Sequence, residues 1–150
     1  MKIWTQLSRL IPFGVAAVGL FVMAQEKASE PDPAVMSFKL PSQITWKGNQ
    51  AVLYGDPTKP GLYIILAKWE PNKMSHPHFH QNDRFIYVVS GTWWVGWGKK
   101  FDPDSTFPIP AGGFVRHFGK QIHYDGAKSE GCILEIMGEG PAKPTDVEEK

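Results

Sequence analysis

Residues 76–91 read His76-Pro77-His78-Phe79-His80-Gln81-Asn82-Asp83-Arg84-Phe85-Ile86-Tyr87-Val88-Val89-Ser90-Gly91. Side chains two apart on a strand share a face, so His76, His78 and His80 line up if the strand continues through Pro77. Two imidazoles at that spacing can reach one metal ion, and a third ligand must then come from elsewhere in the fold. His117 and His123 are the only other histidines. Behind the histidines, the apolar run 85–89, a Ser-Gly turn and the aromatic segment Thr92–Trp97 predict a hairpin. That hairpin places His78 and His80 in the wall of a barrel rather than on a tail.

Outward from this segment the chain continues as short strand-like runs. They cover 43–46, 51–54, 62–69, 74–80, 85–89, 92–97, 106–109, 114–118, 121–124 and 132–137. Turn signals separate them, among them Gly55-Asp56-Pro57, Pro60-Gly61, Asp102-Pro103-Asp104, Ala111-Gly112-Gly113 and Asp125-Gly126. Many short strands with frequent turns point to an all-β sandwich or barrel. The 15 glycines and 13 prolines agree with that pattern. No internal repeat and no long 3.6-residue periodicity is present.

The spacing His78-Phe79-His80, three residues, position 84, six residues, Gly91 resembles the first motif of the cupins. Phe107 to Val115 followed by Gln121-Ile122-His123-Tyr124 resembles the second. The resemblance runs from about Gly61 to Met137. It also extends to a group of exported bacterial cupins with Asp83-Arg84, the run Ser90 to Gly96 and the closing Gly138 to Pro141. It implies a double-stranded β-helix, or jelly roll, in a single domain with one divalent metal inside. His78, His80 and His123 are the ligands that carry over, with His117 as the alternative third. Fe, Zn, Mn, Ni or Cu would suit them. The resemblance further implies oxygenase or isomerase chemistry on a small molecule, and pairing into a homodimer. A metal-free or non-catalytic binding module is the competing reading.

Two departures from the motifs matter. Arg84 stands where many cupins carry a metal-binding glutamate, and a guanidinium has no lone pair to offer. The proline-glycine turn before the last histidine reads Phe118-Gly119-Lys120. A fourth ligand would be water, Asp83 or Gln81. Arg84 has two readings: an ion pair with Asp83 or another acid at the rim, or a fork facing the pocket that clamps a carboxylate or phosphate. Trp93 and Trp94 face opposite sides of their strand, and one residue of register decides which is inside. Trp94 and Tyr87 are the aromatic pocket candidates alongside Arg84.

The remaining features set the context. The formal net charge is +1, from 16 basic and 15 acidic residues. No basic stripe is present, so nucleic acid is not an expected partner. Lys2 and Arg9 precede the uncharged, apolar run Leu10–Ala24, which ends in Val22-Met23-Ala24 before Gln25-Glu26-Lys27. This is the pattern of a secretory signal peptide, with periplasmic or secreted location and no stable membrane insertion after cleavage. The expected organisation is a signal peptide at 1–24, a linker at 25–37, the barrel at 38–139 and a disordered tail at 140–150. The single Cys132 lies in a strand and reads as a small buried hydrophobe. No nucleophile elbow or phosphate loop is present.

Overall fold

A computed structural model describes residues 31–147. The expected signal peptide at 1–24 lies outside the described residues, as does the linker as far as residue 30. The chain divides into two compact units, Met1–Ser37 and Phe38–Lys150. Of the first, only a single turn is described.

The second unit is built from eleven strands: β1 (Gln50–Tyr54), β2 (Gly61–Trp69), β3 (Lys73–Met74), β4 (His78–Phe79), β5 (Arg84–Ser90), β6 (Thr92–Trp97), β7 (Phe107–Pro110), β8 (Phe114–His117), β9 (His123–Ala127), β10 (Cys132–Gly140) and β11 (Thr145–Asp146). One sheet has the order β1-β2-β10-β5-β8. The other has β11-β4-β9-β6-β7, with β3 also paired to β9. All pairings are antiparallel. From β4 onward the chain crosses repeatedly between the two sheets, with only β6 and β7 adjacent in both sequence and sheet, as in a jelly roll.

Alternation decides what lies between the sheets. Tyr63, Ile65 and Ala67 of β2, Ile86 and Val88 of β5, and Leu134 and Ile136 of β10 point inward. Trp93 of β6 meets them from the other sheet and is 1% exposed. Burying Trp93 makes it a major contributor to stability, since truncating such a side chain to alanine costs about 3–5 kcal/mol. Cys132 is part of the same core, and burial pushes its thiol up to about 12. It is the inert hydrophobe expected.

Three local expectations change. The expected strand 43–46 does not form: Gln43 ends a 3-10 turn that begins at Pro41, and residues 44–46 are in no strand. Asp125-Gly126 is not a turn: both lie in the middle of β9, buried. A Cβ at Gly126 would sit 2.2 Å from the Lys73 carbonyl oxygen, so this glycine admits the close approach of β3 rather than a reversal. Residues 140–147 are not a disordered tail. β11 pairs with β4, opposing Thr145 to Phe79 and Asp146 to His78, and the Val147 amide donates to the Pro77 carbonyl at 3.0 Å. The backbone amides and carbonyls that Pro77 leaves open on this edge are what the returning chain satisfies. Residues 148–150 lie outside the described residues.

Candidate metal centre

Pro77 interrupts the expected continuous strand 74–80, leaving the short β3 and β4. His76 falls between them and is exposed, stacked on Phe101 with ring centroids 4.8 Å apart. His78 and His80 keep the shared face and are both buried. In the β4–β9 ladder His78 lies directly opposite His123, so the third imidazole arrives on the same face by register. Ring centroids are 5.1 Å apart for His78–His80, 4.5 Å for His78–His123 and 5.8 Å for His80–His123. One ring nitrogen from each lies within 4.8 Å of the others.

The hydrogen bonds settle which nitrogen that is. A carbonyl can only accept, so each Nδ1 facing one must carry the proton. His78 Nδ1 donates to the His76 carbonyl at 2.8 Å, His80 Nδ1 to Ala142 at 2.8 Å and His123 Nδ1 to Gln121 at 3.0 Å. All three Nε2 atoms are left as lone pairs. This is the arrangement that orients imidazoles for a metal, because the outer proton fixes tautomer and ring plane. His123 Nε2 is buried without a partner, a cost that a coordinated cation would remove. The donor set thus fits a divalent transition metal.

The two sheets divide the electrostatics. His117 of β8 and Arg84 of β5 are opposed in register and face inward from the five-stranded sheet. The His117 ring lies 3.9 Å from that of His123, and neither of its nitrogens has a hydrogen-bond partner. His117, His123 and Asp125 form a second group whose ligand atoms also lie within 4.8 Å of one another. His123 is common to both groups. Asp125 Oδ2 is 3.8 Å from His123 Nε2. Trp93 favours the ionised form of Asp125 but closes no hydrogen bond to it. Burial, the dominant influence, still raises the Asp125 carboxyl above its usual range.

Burial also holds the imidazoles neutral. His80 and His123 are lowered to about 3 and His117 to about 2, chiefly by desolvation and further by one another and Arg84. Neutral imidazole is the ligand form.

Arg84 does not pair with Asp83. Alternation turns Asp83 outward, where it accepts from Arg116 Nε at 2.8 Å and from the Gly119 amide at 2.7 Å. That rules Asp83 out as a fourth ligand, and Gln81 is exposed. Two pocket candidates are corrected. Trp93, not Trp94, faces inward: Trp94 lies on the outer side of its sheet, with the Lys128 ammonium 4.2 Å above its ring. Tyr87 is on the outer face of β5, 47% exposed, because Ile86 and Val88 take the inward positions. Asp125 is the site residue the sequence reading missed. The two-residue spacing to His123 puts both on one face only because β9 runs on through Asp125 and Gly126, a pair whose composition reads as a turn.

A cavity of about 730 Å³ opens onto this cluster. His78, His80, Arg84 and Asp125 are among its polar lining, and Tyr63, Ile65, Trp93 and Leu134 among its apolar lining.

No protein-family model and no curated protein matches the sequence. Solved structures do match. A polyketide cyclase, RemF from Streptomyces resistomycificus, is similar over 77% of this chain and 87% of its own, at 16% identity and a TM-score of 0.61. KdgF from a Halomonas species aligns over 71% of this chain and 96% of its own, at 17% identity and 0.55. A cupin-2 domain protein from Shewanella frigidimarina aligns over 66% and 87%, at 20% identity and 0.50. The chain is therefore a cupin-fold barrel, a double-stranded β-helix with a histidine cluster inside that could hold a metal.

Proposed function

We propose that this protein holds one divalent transition metal on the Nε2 atoms of His78, His80 and His123 and acts on a small molecule bound in the adjoining cavity. The observation that carries the reading is the set of three Nδ1–H···O=C hydrogen bonds, which leave three lone pairs converging. When bound, the metal supplies Lewis-acid or redox chemistry at an open coordination position. The chain's own residues hold the imidazoles in one tautomer, keep His80 and His123 neutral, and line the adjoining cavity with apolar side chains. Oxidoreductase or isomerase activity is the class proposed, and the polyketide cyclase among the similar folds is an enzyme of the same architecture. Export to the periplasm or medium belongs to the same proposal, on the strength of the run Leu10–Ala24 and its flanks.

The test is metal content by elemental analysis of chain purified without chelator and without a histidine tag. Near one equivalent is expected in the wild type, with at least a tenfold loss in His78→Ala, His80→Ala and His123→Ala. His117→Ala discriminates the two groups: it keeps the metal if the trio is the site and loses it if His117, His123 and Asp125 are. A wild-type protein that stays empty after refilling with Fe, Zn, Mn, Ni and Cu sinks the metal reading and leaves a metal-free binding module.

A further inference from the structure

Arg84 is the group in the cavity that the metal reading does not use. It sits on the inward face of β5 and lines the cavity, and its Nε is buried with no hydrogen-bond partner among the described residues. Its electrostatic neighbours are Asp125 and Tyr63, but among the described residues neither forms an ion pair or a hydrogen bond with it. The outward acid beside it in sequence, Asp83, is already taken by Arg116. A buried guanidinium whose Nε has no partner is costly unless an anion meets it. A planar carboxylate matches that fork with two parallel hydrogen bonds, which a lysine could not reproduce.

The rest of the cavity says what the carboxylate is attached to. The wall contributed by the five-stranded sheet is apolar, with Tyr63, Ile65, Ala67, Leu134 and Ile136, and Trp93 faces it from the other side. A volume of about 730 Å³ exceeds what a two- or three-carbon acid fills and suits a ligand of drug-like size.

We propose that Arg84 binds the carboxylate of an amphipathic acid, aromatic or branched, whose apolar body lies against the wall formed by β2 and β10. The position that many cupins use for a metal-binding glutamate is thereby converted from holding the metal to holding the substrate's anion. This rests on the cavity being the ligand site, as proposed above, but not on a metal being present.

The experiment is calorimetric titration of the full chain, metal-stripped and metal-loaded, with phenylacetate and with its neutral isostere phenylacetamide. Wild type should bind the acid in both forms, and the amide at least about tenfold more weakly. Arg84→Met should weaken the acid by about 10- to 100-fold and leave the amide unchanged, with metal content and melting temperature retained. Arg84→Lys should recover only part of the loss. Equal binding of acid and amide by the wild type overturns the proposal, as does an Arg84→Met variant that binds the acid as well as the wild type. So does failure of phenylacetate, benzoate and isovalerate all to bind below about 10 mM. Because the stripped protein is tested separately, loss of the metal reading does not mimic any of these results.

Discussion

His80, His117 and His123 stay neutral far below the ordinary imidazole value of 6.5, because burial between two sheets leaves a charged ring without water. This has a signed consequence for stability. Above pH 6.5 these rings are neutral in both folded and unfolded chains and contribute no pH dependence. Below it the unfolded chain takes up protons that the folded chain refuses until about pH 3, so stability falls as pH falls through that window. Each histidine contributes a slope of about 1 kcal/mol per pH unit, so three together consume a typical domain stability of about 5–15 kcal/mol within a few units. Metal-free protein followed by circular dichroism should unfold near about pH 4–5. His117→Gln should move that midpoint down by removing one of the three protonations. A midpoint that does not move would mean His117 is not a neutral buried ring. The pairing of His78 with His80 was legible in the sequence because two-residue spacing alone sets a shared face. Asp125 was not, because Gly126 beside it has the composition of a turn and only the packing of β3 shows why a glycine is needed there.

Among the elements, β11 does more for the site than its two residues suggest. It closes the edge of β4, and the segment leading into it supplies the Ala142 carbonyl that fixes the His80 tautomer. Truncation after Gly140 removes that acceptor while leaving β10 complete. Metal affinity should fall by about 10- to 100-fold, the usual cost of losing a partner that orients a ligand. Competition titration against a chromogenic chelator measures it, and unchanged affinity would show that His80 is oriented without the returning chain. The contact between β3 and β9 offers a second test. Gly126→Ala places a methyl 2.2 Å from the Lys73 carbonyl oxygen and 2.5 Å from the Met74 Cα. The backbone must move, and a loss of about 1–3 kcal/mol in urea unfolding is expected. The tail's polar, proline-containing composition reads as disorder, and its order comes from partners more than 50 residues earlier in the chain, which no local pattern encodes.

For the molecule as a whole, the outer face of the five-stranded sheet carries a cluster of exposed apolar side chains. Phe85, Tyr87 and Val89 of β5, Met137 of β10 and Phe114 of β8 are all exposed there, Phe114 by 64%. Register places Tyr87 between Phe114 and Glu135, and Phe85 between Met137 and Arg116, so an aromatic cluster is flanked by one charge of each sign. An exposed aromatic cluster of this kind is a candidate association site. The expected homodimer would use it, with a second copy as the partner. Sedimentation equilibrium should give a dimer for the wild type and a monomer for Tyr87→Asp combined with Phe114→Asp, with metal content unchanged in both. A monomeric wild type at micromolar concentration would remove the dimer from the account.

What the sequence by itself determined is the class of architecture and the pairing of His78 with His80. Short alternating runs demand two facing sheets, and two-residue spacing demands a shared face whatever the topology. The tertiary structure decided which tryptophan is inside, that Tyr87 is outside, that Arg84 does not pair with Asp83, and that Asp125 and His117 stand beside His123. Each of these depends on strand register or on contacts between distant segments. A shift of one residue exchanges the two faces of a strand without changing its composition, so only the paired strands carry that information.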